Sequence, residues 1–200
     1  MRLRLLAKIA AGLAVGAVLA GAAAYGLPGR VRHFDTVQAG VLYRSGQPRG
    51  EAWDRLAGDF RIRTVISLRE RNPEADWSRE EEQACSRLGL RLIRIPIESR
   101  DRISQEPWTT FLQTVTDPAD WPVLVHCEAG SARTGYLVAG YRIAVQGWSV
   151  KNALTEAQAH HWDTASHPDQ VAFLEELWQK HHKPDPATQR HQGAEPEVEP

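Results

Sequence analysis

The sequence predicts an α/β protein, with a central, largely parallel sheet flanked by helices and preceded by an N-terminal transmembrane or signal segment. Strand-like and helix-like segments alternate along most of the 200 residues, which is typical of parallel sheets covered by helices. The stretch VLVH at 123–126 is apolar and follows Pro122, as expected of a fully buried central strand. Near the N-terminus, a long stretch without charge follows several basic residues, which is a targeting pattern.

Residues 1–29 are predicted to be a membrane anchor or a signal sequence. Basic residues among the first eight positions precede the uncharged stretch 9–25. With its apolar neighbours, this stretch extends over residues 5–27, which are expected to contact the membrane. Its length approaches the ~20 residues that cross a bilayer. The alanines at 22–24 also fit a cleavage site. We favour the anchor because the apolar run exceeds the ~7–15 residues of a usual signal core. A buried helix of the fold itself is the third interpretation.

The flanking charges predict the orientation of this segment. Arg2, Arg4, Lys8 and the terminal amine lie before the span, whereas Arg30 and Arg32 lie after it. The excess of positive charge before the span keeps the N-terminus in the cytoplasm and exports the rest of the chain. For a bacterial source, this predicts a periplasmic or extracytoplasmic domain, which is secreted if the signal is cleaved.

Residues 30–182 are predicted to form one domain of alternating strands and helices. β-Branched and alternating apolar residues predict strands at 41–44, 63–68, 90–97 and 123–126. Apolar residues at helical spacing predict helices at 51–60, 77–88, 107–116, 134–146, 150–160 and 169–181. Residues 183–200 are rich in Pro, Glu, Gln and Ala, and are predicted to be a disordered tail.

The composition is that of an ordinary globular protein, with 42% hydrophobic and 24% charged residues. The formal net charge of −1 provides no basic surface for a nucleic acid, which is not expected as a partner. The two cysteines, Cys85 and Cys127, are too few for a disulfide framework. Since a free cysteine is most often a buried core residue, a chemical role for either one needs support from its neighbours.

Cys127 has such neighbours, because residues 123–136 read VLVHCEAGSARTGY. Five residues separate it from Arg133: Glu128, Ala129, Gly130, Ser131 and Ala132. Gly130 and its small neighbours let backbone N–H groups wrap closely around an anion. The helix predicted from Thr134 directs its positive end to the same point. These groups are expected to bind phosphate and to stabilise a thiolate at Cys127.

Three further side chains support this chemistry. Arg133 offers a planar guanidinium to two phosphate oxygens and can stabilise charge during transfer. The hydroxyl of Thr134 can lie near the Cys127 sulfur and support it as a leaving group. His126 is predicted to orient the loop through hydrogen bonds rather than to act as an acid or base. Together they predict nucleophilic attack of a thiolate on a phosphoester.

The motif His126-Cys127-x5-Arg133 matches the signature of the protein tyrosine phosphatase superfamily. With VLYRSGQP at 41–48 and RTVISLR at 63–69, the chain resembles the atypical dual-specificity phosphatases of bacteria, fungi and plants over about residues 34–180. This resemblance implies the dual-specificity-phosphatase fold, a phosphocysteine intermediate and no metal or other cofactor. It also implies a phosphorylated protein or a small phosphoester as substrate.

The resemblance further implies an aspartate, on a loop after an earlier strand, that protonates the leaving oxygen and then activates water. We predict Asp101, which follows strand 90–97. If that strand runs parallel to 123–126, its carboxyl end lies beside the loop. Glu98 in the same segment is the alternative, and the third interpretation is that neither acts. Asp120 is not chosen because it precedes strand 123–126, at the end opposite Cys127, ~20 Å from the thiol.

The loop composition favours phosphotyrosine or another phosphomonoester as substrate. Members of the resembled superfamily that act on phosphoinositides or inositol pyrophosphates tend to carry Lys or Arg inside the loop. Here these positions hold Glu128 and small residues, so a highly anionic substrate would meet a carboxylate. Inositol phosphates remain an alternative because Arg100 and Arg102 flank Asp101.

Two other functions compete with phosphoester hydrolysis. A catalytically weak, phosphate-binding pseudophosphatase that recruits partners would not need Cys127, Arg133 and Asp101 together. A sulfurtransferase or arsenate reductase also uses a thiolate in a short anion loop, but Gly130, the Arg133-Thr134 pair and VLYRSGQP favour a phosphatase.

The other cysteine and the paired histidines are predicted to have no catalytic role. Cys85 lies on a predicted helix and is expected to be a core or surface thiol, with an oxidative disulfide to Cys127 as the alternative. Two adjacent histidine pairs, at 160–161 and 181–182, are on predicted helices. Adjacent residues do not share a helix face, so these pairs predict no metal site.

Overall fold

The computed structural model describes residues 31–182, so the predicted anchor at 1–29 and the predicted tail at 183–200 lie outside the described residues. The elements are β1 (Asp35–Gln38), β2 (Leu42–Ser45), α1 (Ala52–Asp59), β3 (Thr64–Ser67), α2 (Asp76–Leu88), β4 (Arg91–Arg94), α3 (Gln105–Thr116), β5 (Val123–His126), α4 (Ala132–Ala144), α5 (Val150–Ala159) and α6 (Pro168–His182). A 3-10 turn, Thr164–Ser166, precedes α6. Within residues 31–182, none of the helices has both the length and the apolarity of a membrane span.

The strands form one sheet in the order β1-β2-β5-β3-β4. β1 is antiparallel to β2, and the other neighbours are parallel. This confirms the predicted α/β class with a largely parallel sheet. β5 lies at the centre, between β2 and β3, and all four of its residues are buried, as its apolar run predicts.

Both faces of the sheet are covered by helices, as is usual for parallel strands. Successive side chains of β5 point to opposite faces. Val123 and Val125 enter the larger cluster, which includes residues of α3, α4, α5 and α6. Leu124 enters a smaller cluster, which includes residues of α1 and α2. The carboxyl end of β5 is therefore enclosed on both sides before it reaches the loop.

The fourth strand is shorter than predicted, because β4 ends at Arg94 whereas the alternating pattern extends over 90–97. Pro96 has no N–H with which to continue the ladder. The chain nevertheless stays beside β3, since the N–H of Ile97 donates to the carbonyl of Leu68 at 3.4 Å. The segment carrying the predicted acid therefore starts near the carboxyl end of the sheet.

Helix α4 begins at Ala132, two residues before its predicted start, and ends at Ala144. Arg133 therefore lies in the first turn of the helix rather than in the loop. The other predicted elements differ from the observed ones by at most two residues at the ends compared, apart from β4. Strand β1 was not predicted because only one of its four residues is buried, so no alternating apolar pattern marks it.

Candidate active site

Cys127 lies at the carboxyl end of β5, between the sheet and α4. Its side chain is buried, with 2% exposed, and the N–H of Gly130 donates to its Sγ at 3.2 Å. Ser45 of β2 and Ser67 of β3 pair with His126 of β5, so three parallel strands end together beside the thiol. Open α/β sheets bind their ligands at this edge.

The loop after Cys127 turns its carbonyl groups away from the thiol. Three consecutive carbonyls accept hydrogen bonds from other segments: Glu128 from the N–H of Gln47 at 3.0 Å, Ala129 from Nδ1 of His33 at 2.8 Å, and Gly130 from Nη2 of Arg44 at 2.8 Å. In each peptide plane the N–H points opposite to the carbonyl. The N–H groups of these peptides therefore point away from the supporting segments, and that of Gly130 reaches the sulfur, as in an anion-binding nest.

Gly130 and Gly46 bring the loop into close contact with the turn after β2. Gly130 has a φ of +76°, and a β-carbon there would lie 2.4 Å from the backbone nitrogen of Gly46. A β-carbon at Gly46 would lie 2.9 Å from the carbonyl oxygen of Glu128. Side chains are excluded from both positions, so the SGQP turn and the loop support each other.

Arg133 projects from the first turn of α4, and its Nη1 donates to the carbonyl of Leu68 at 3.3 Å. That carbonyl also accepts from the N–H of Ile97, while the N–H of Leu68 donates to His126 at 2.8 Å. The backbone of Leu68, directly after β3, therefore connects β5, Arg133 and the segment of the predicted acid. The guanidinium is partly exposed and thus accessible to a phosphate.

His126 is held by a buried ion network. Its Nε2 lies 2.9 Å from Oε1 of Glu81, and neither side chain is exposed. Arg94 pairs with the other oxygen of Glu81 at 2.6 Å. Burial raises the pKa of Glu81, but His126, Arg94 and Gln47 together lower it below its usual range. With Nδ1 lying 3.3 Å from the Cys127 carbonyl, this contact geometry fits the orienting role predicted for His126.

Arg44 places a second positive charge behind the loop. It is buried on β2 and donates to the carbonyl of Gly130. Burial lowers its pKa to about 10, against the opposing effects of Glu156, Asp35 and Cys127. Nε and Nη1 of Arg44 make no hydrogen bond within residues 31–182. Its charge is compensated through space instead, by the carboxylates of Glu156 and Asp35.

Thr134 follows Arg133 and is fully buried. Its hydroxyl makes no hydrogen bond in the part of the chain that the structure describes. A buried hydroxyl without a partner is costly, so this group is available for a developing charge. Its predicted support of the Cys127 sulfur remains a prediction.

The structure places Asp101 and Glu98 on one segment and Asp120 at the opposite end of the sheet. Asp101 and Glu98 are both exposed on the segment that leaves Ile97, and the N–H of Asp101 donates to the Glu98 carbonyl at 3.3 Å. Nε2 of Gln170 donates to the Asp101 carbonyl at 2.8 Å and anchors the segment on α6. Asp120 instead lies at the amino end of the sheet, where it pairs with Arg91.

Cys85, His160 and His161, which are predicted to have no catalytic role, contact residues outside the loop. Cys85 and Cys127 are both free thiols, in the clusters on opposite faces of the sheet. His160 pairs with Asp35 at 3.2 Å, and the ring of His161 lies 4.6 Å from that of His33. Residues 31–182 contain no group of three or more His, Cys, Asp or Glu that could hold a metal ion.

Sequence reasoning missed five side chains around the loop: His33, Arg44, Gln47, Arg69 and Glu81. A charged residue inside a buried strand is a usable signal, and Arg44 has it. Gln47 belongs to VLYRSGQP, which carried the resemblance without predicting a role for this side chain. Glu81 has no signal of its own, because it stands in the acidic run 80–82, and only the fold decides which of the three is buried.

Several known proteins are similar to this chain in sequence. The family model described as "DSP-PTPase phosphatase fused to NAD+ Kinase" matches residues 30–175. The dual specificity protein phosphatase TpbA of Pseudomonas aeruginosa is 32% identical over 119 residues, which are 59% of this chain and 50% of TpbA. The inositol diphosphatase DSP3 of Arabidopsis thaliana is 33% identical over 130 residues, 63% of this chain and 61% of that protein.

Solved structures show the same fold. The core catalytic domain of the phosphatase SIW14 from Saccharomyces cerevisiae, in complex with citrate, superposes with a TM-score of 0.63 at 26% identity and covers 83% of this chain and 93% of that one. A cysteine-to-serine variant of TpbA in complex with phosphotyrosine has a TM-score of 0.56 at 25% identity, covering 72% and 87%. The chain spans about half the length of the first curated relatives it matches.

Proposed function

The chain belongs to the family described as DSP-PTPase phosphatase fused to NAD+ kinase, and on this premise we propose that it is a cysteine-dependent phosphomonoester hydrolase of the protein-tyrosine/dual-specificity type. One observation carries the proposal. Gly130 donates its N–H to Sγ of Cys127, inside a loop in which the carbonyls of Glu128, Ala129 and Gly130 are bound by other segments. Such a loop binds the phosphate next to the nucleophile that attacks it.

The proposed reaction has two displacement steps. Sγ of Cys127 attacks phosphorus, the bond to the leaving oxygen breaks, and Asp101 donates a proton to that oxygen. Arg133 and the loop amides stabilise the charge on the phosphoryl oxygens. Water then attacks the phosphocysteine while the Asp101 carboxylate takes a proton from it. The S–P bond breaks, and the Thr134 hydroxyl supports the departing thiolate.

Hydrolysis of p-nitrophenyl phosphate by the reduced protein tests the activity. The wild type is expected to hydrolyse it in the presence of a chelator and to be inhibited by vanadate, while Cys127→Ser is expected to be inactive. Phosphate trapped on Cys127, rather than a persulfide, would exclude the sulfurtransferase. A folded, reduced wild type without activity would contradict the proposal and favour a phosphate-binding module.

The general acid is tested by Asp101→Asn beside Glu98→Gln, the isosteric change at the alternative acid. Loss of a positioned proton donor lowers kcat by a factor of about 100 or more. We expect that loss on a phosphotyrosine peptide only for Asp101→Asn. If Glu98→Gln alone shows the loss, the acid is Glu98.

We propose a phosphotyrosine or another phosphomonoester as substrate. Glu128 contributes negative charge at the loop, and Arg102 is engaged with Glu176 at 2.8 and 2.5 Å, which reduces the positive charge available to a polyanion. A second candidate, an inositol phosphate, is favoured by the relatives named inositol diphosphatases. Higher kcat/KM for a phosphotyrosine peptide than for inositol hexakisphosphate is expected, and the reverse order would support the second candidate.

We further propose that residues 1–29 anchor the protein in a membrane, with the phosphatase domain outside the cytoplasm. Support comes from the sequence, namely the uncharged stretch 9–25 and the basic residues before it. A reporter that is active only outside the cytoplasm, fused at Pro200, is expected to be active. A well-expressed but silent fusion would contradict the orientation.

A further inference from the structure

Arg69 lies beside the phosphate-binding loop but has no part in the mechanism above. Its guanidinium stacks on the ring of Trp77 at 3.4 Å, and its Nη1 donates to Oε1 of Gln47 at 3.0 Å. Only 13% of its side chain is exposed. Stacking and a hydrogen bond therefore hold this cation in one position.

Arg69 also lies close to Arg133 and to the loop. Arg69 follows Leu68, whose carbonyl accepts from Arg133 and whose N–H donates to His126. Burial lowers the pKa of Arg69, the Glu128 charge raises it, and the Arg133 charge lowers it again. Since both guanidiniums remain charged at neutral pH, two cations stand next to the loop.

Glu128 occupies the outer side of Arg69. Its Oε2 lies 3.7 Å from Nη2 of Arg69, and 69% of the carboxylate side chain is exposed. Glu128 directly follows Cys127, so this exposed carboxylate belongs to the first residue of the loop. A singly phosphorylated substrate needs the loop amides and Arg133 only. A second phosphate beside the scissile one would need Arg69 and would approach the Glu128 carboxylate.

We propose that Arg69 and Glu128 together determine specificity: Glu128 neutralises Arg69 and thereby excludes substrates that carry a second phosphate beside the scissile one. This inference rests on the proposed phosphatase function and names the residues that set its substrate class. Removal of the Glu128 charge frees Arg69 and admits diphosphates.

Kinetics on two substrates test the pair. In Glu128→Gln, the ratio of kcat/KM for an inositol diphosphate to that for p-nitrophenyl phosphate is expected to rise about tenfold, because Arg69 is no longer paired with Glu128 and can bind the second phosphate. The gain is expected to vanish when Arg69→Gln is added, and to persist with Arg69→Lys. Glu70→Gln, at an exposed residue adjacent to Arg69, is the matched control and leaves the ratio unchanged.

Measurements of anion binding test the Arg69–Glu128 pair separately from the proposed hydrolase activity. In the Cys127→Ser background, calorimetry with inorganic pyrophosphate is expected to show about tenfold tighter binding after Glu128→Gln, and a smaller gain with inorganic phosphate. Equal gains for both anions, or a gain that survives Arg69→Gln, would overturn the pairing. A wild type inactive on p-nitrophenyl phosphate, with the pyrophosphate gain intact, would refute only the hydrolase and leave the pairing supported.

Discussion

Gly130, in the loop after Cys127, cannot be replaced by a residue with a side chain without a change in the backbone. It combines a left-handed backbone with contacts to the Ser45–Gly46 peptide that are shorter than a β-carbon can make. The two restrictions are separable, because Gly147 has a similar φ of +69° but open space around it. The pair therefore distinguishes backbone strain from disruption of the anion loop.

Gly130→Ala is expected to reduce kcat on p-nitrophenyl phosphate by a factor of 100 or more, because the loop must move and its donors lose their alignment. Gly147→Ala is expected to cost roughly 1–2 kcal/mol of unfolding free energy through the left-handed backbone alone. Its kcat is expected to match the wild type. Steady-state kinetics and urea denaturation measure both, and equal activity in the two variants would contradict this account of the loop.

The two thiols are expected to differ in reactivity. Burial raises the pKa of Cys85 to about 12, with a smaller contribution from Glu81 that Arg94 partly offsets. The thiolate is the reactive form, so iodoacetate near neutral pH is expected to label Cys127 and to leave Cys85 intact. Peptide mass spectrometry reads the result, and urea-unfolded protein, in which both should label, is the control. Labelling of Cys85 in folded protein would contradict its buried environment.

At the scale of elements, helix α2 supports the active site from behind. It supplies Glu81, which contacts His126 of β5, Arg94 of β4 and Gln47 of the turn after β2. A buried charge network is costly when one partner is removed, because the remaining charges lose their compensation. α2 is therefore coupled to the loop through ions rather than through apolar packing alone.

Glu81→Gln is expected to cost about 3 kcal/mol of unfolding free energy, because His126 and Arg94 lose a buried anion. Glu82→Gln, at a more exposed carboxylate that pairs with Arg71 and with the outer side of Arg94, is expected to cost at most about 1 kcal/mol. Urea denaturation at neutral pH measures the difference. Equal losses would show that the Glu81 network contributes no more than a surface pair.

The pKa of Glu81, lowered below its usual range, also predicts how stability depends on pH. A carboxyl with a depressed folded pKa contributes fully above its unfolded pKa, and this contribution is lost as the pH falls through the folded pKa. From about pH 5 to about pH 3, the wild type is therefore expected to lose stability more steeply than Glu81→Gln. Parallel pH profiles of the urea midpoint would contradict a charged Glu81.

At the scale of the whole molecule, α4 connects the active site to the core. Ten of its thirteen residues are buried, and it packs between the sheet and the helices α5 and α6. Gly140 lets Trp108 of α3 approach, since a β-carbon there would lie 2.8 Å from the indole ring. The helix whose amino end follows the loop is thus held in close contact with α3.

Gly140→Ala is expected to lower the unfolding free energy by roughly 1–3 kcal/mol, because a rigid ring must shift. Gly58→Ala, in α1 with nothing within 4 Å of the new carbon, is expected to raise it by roughly 0.5–1 kcal/mol. Thermal denaturation measures both. A neutral Gly140→Ala would show that α3 and α4 can separate without cost.

The sequence by itself determined the fold class and the centre of the site. The apolar run 123–126 predicts β5 because a strand buried on both faces is apolar at consecutive positions. Cys127, Gly130 and Arg133 follow from the motif because nucleophile, close backbone approach and guanidinium each require one residue type. These are local properties of the chain, so the spacing of residues in the sequence is enough to predict them.

Tertiary structure alone decided which distant residues complete the site. Glu81 and its acidic neighbours look alike in sequence, and only the packing of α2 buries one of them against His126. Arg69 and Glu128 are 59 positions apart and meet because β3 and β5 are neighbours in the sheet. Pro96 shortened β4 although its alternating pattern continues. Pairs between distant residues and the burial of a charged side chain depend on which elements become neighbours. The local spacing of residues in the sequence does not determine these neighbours.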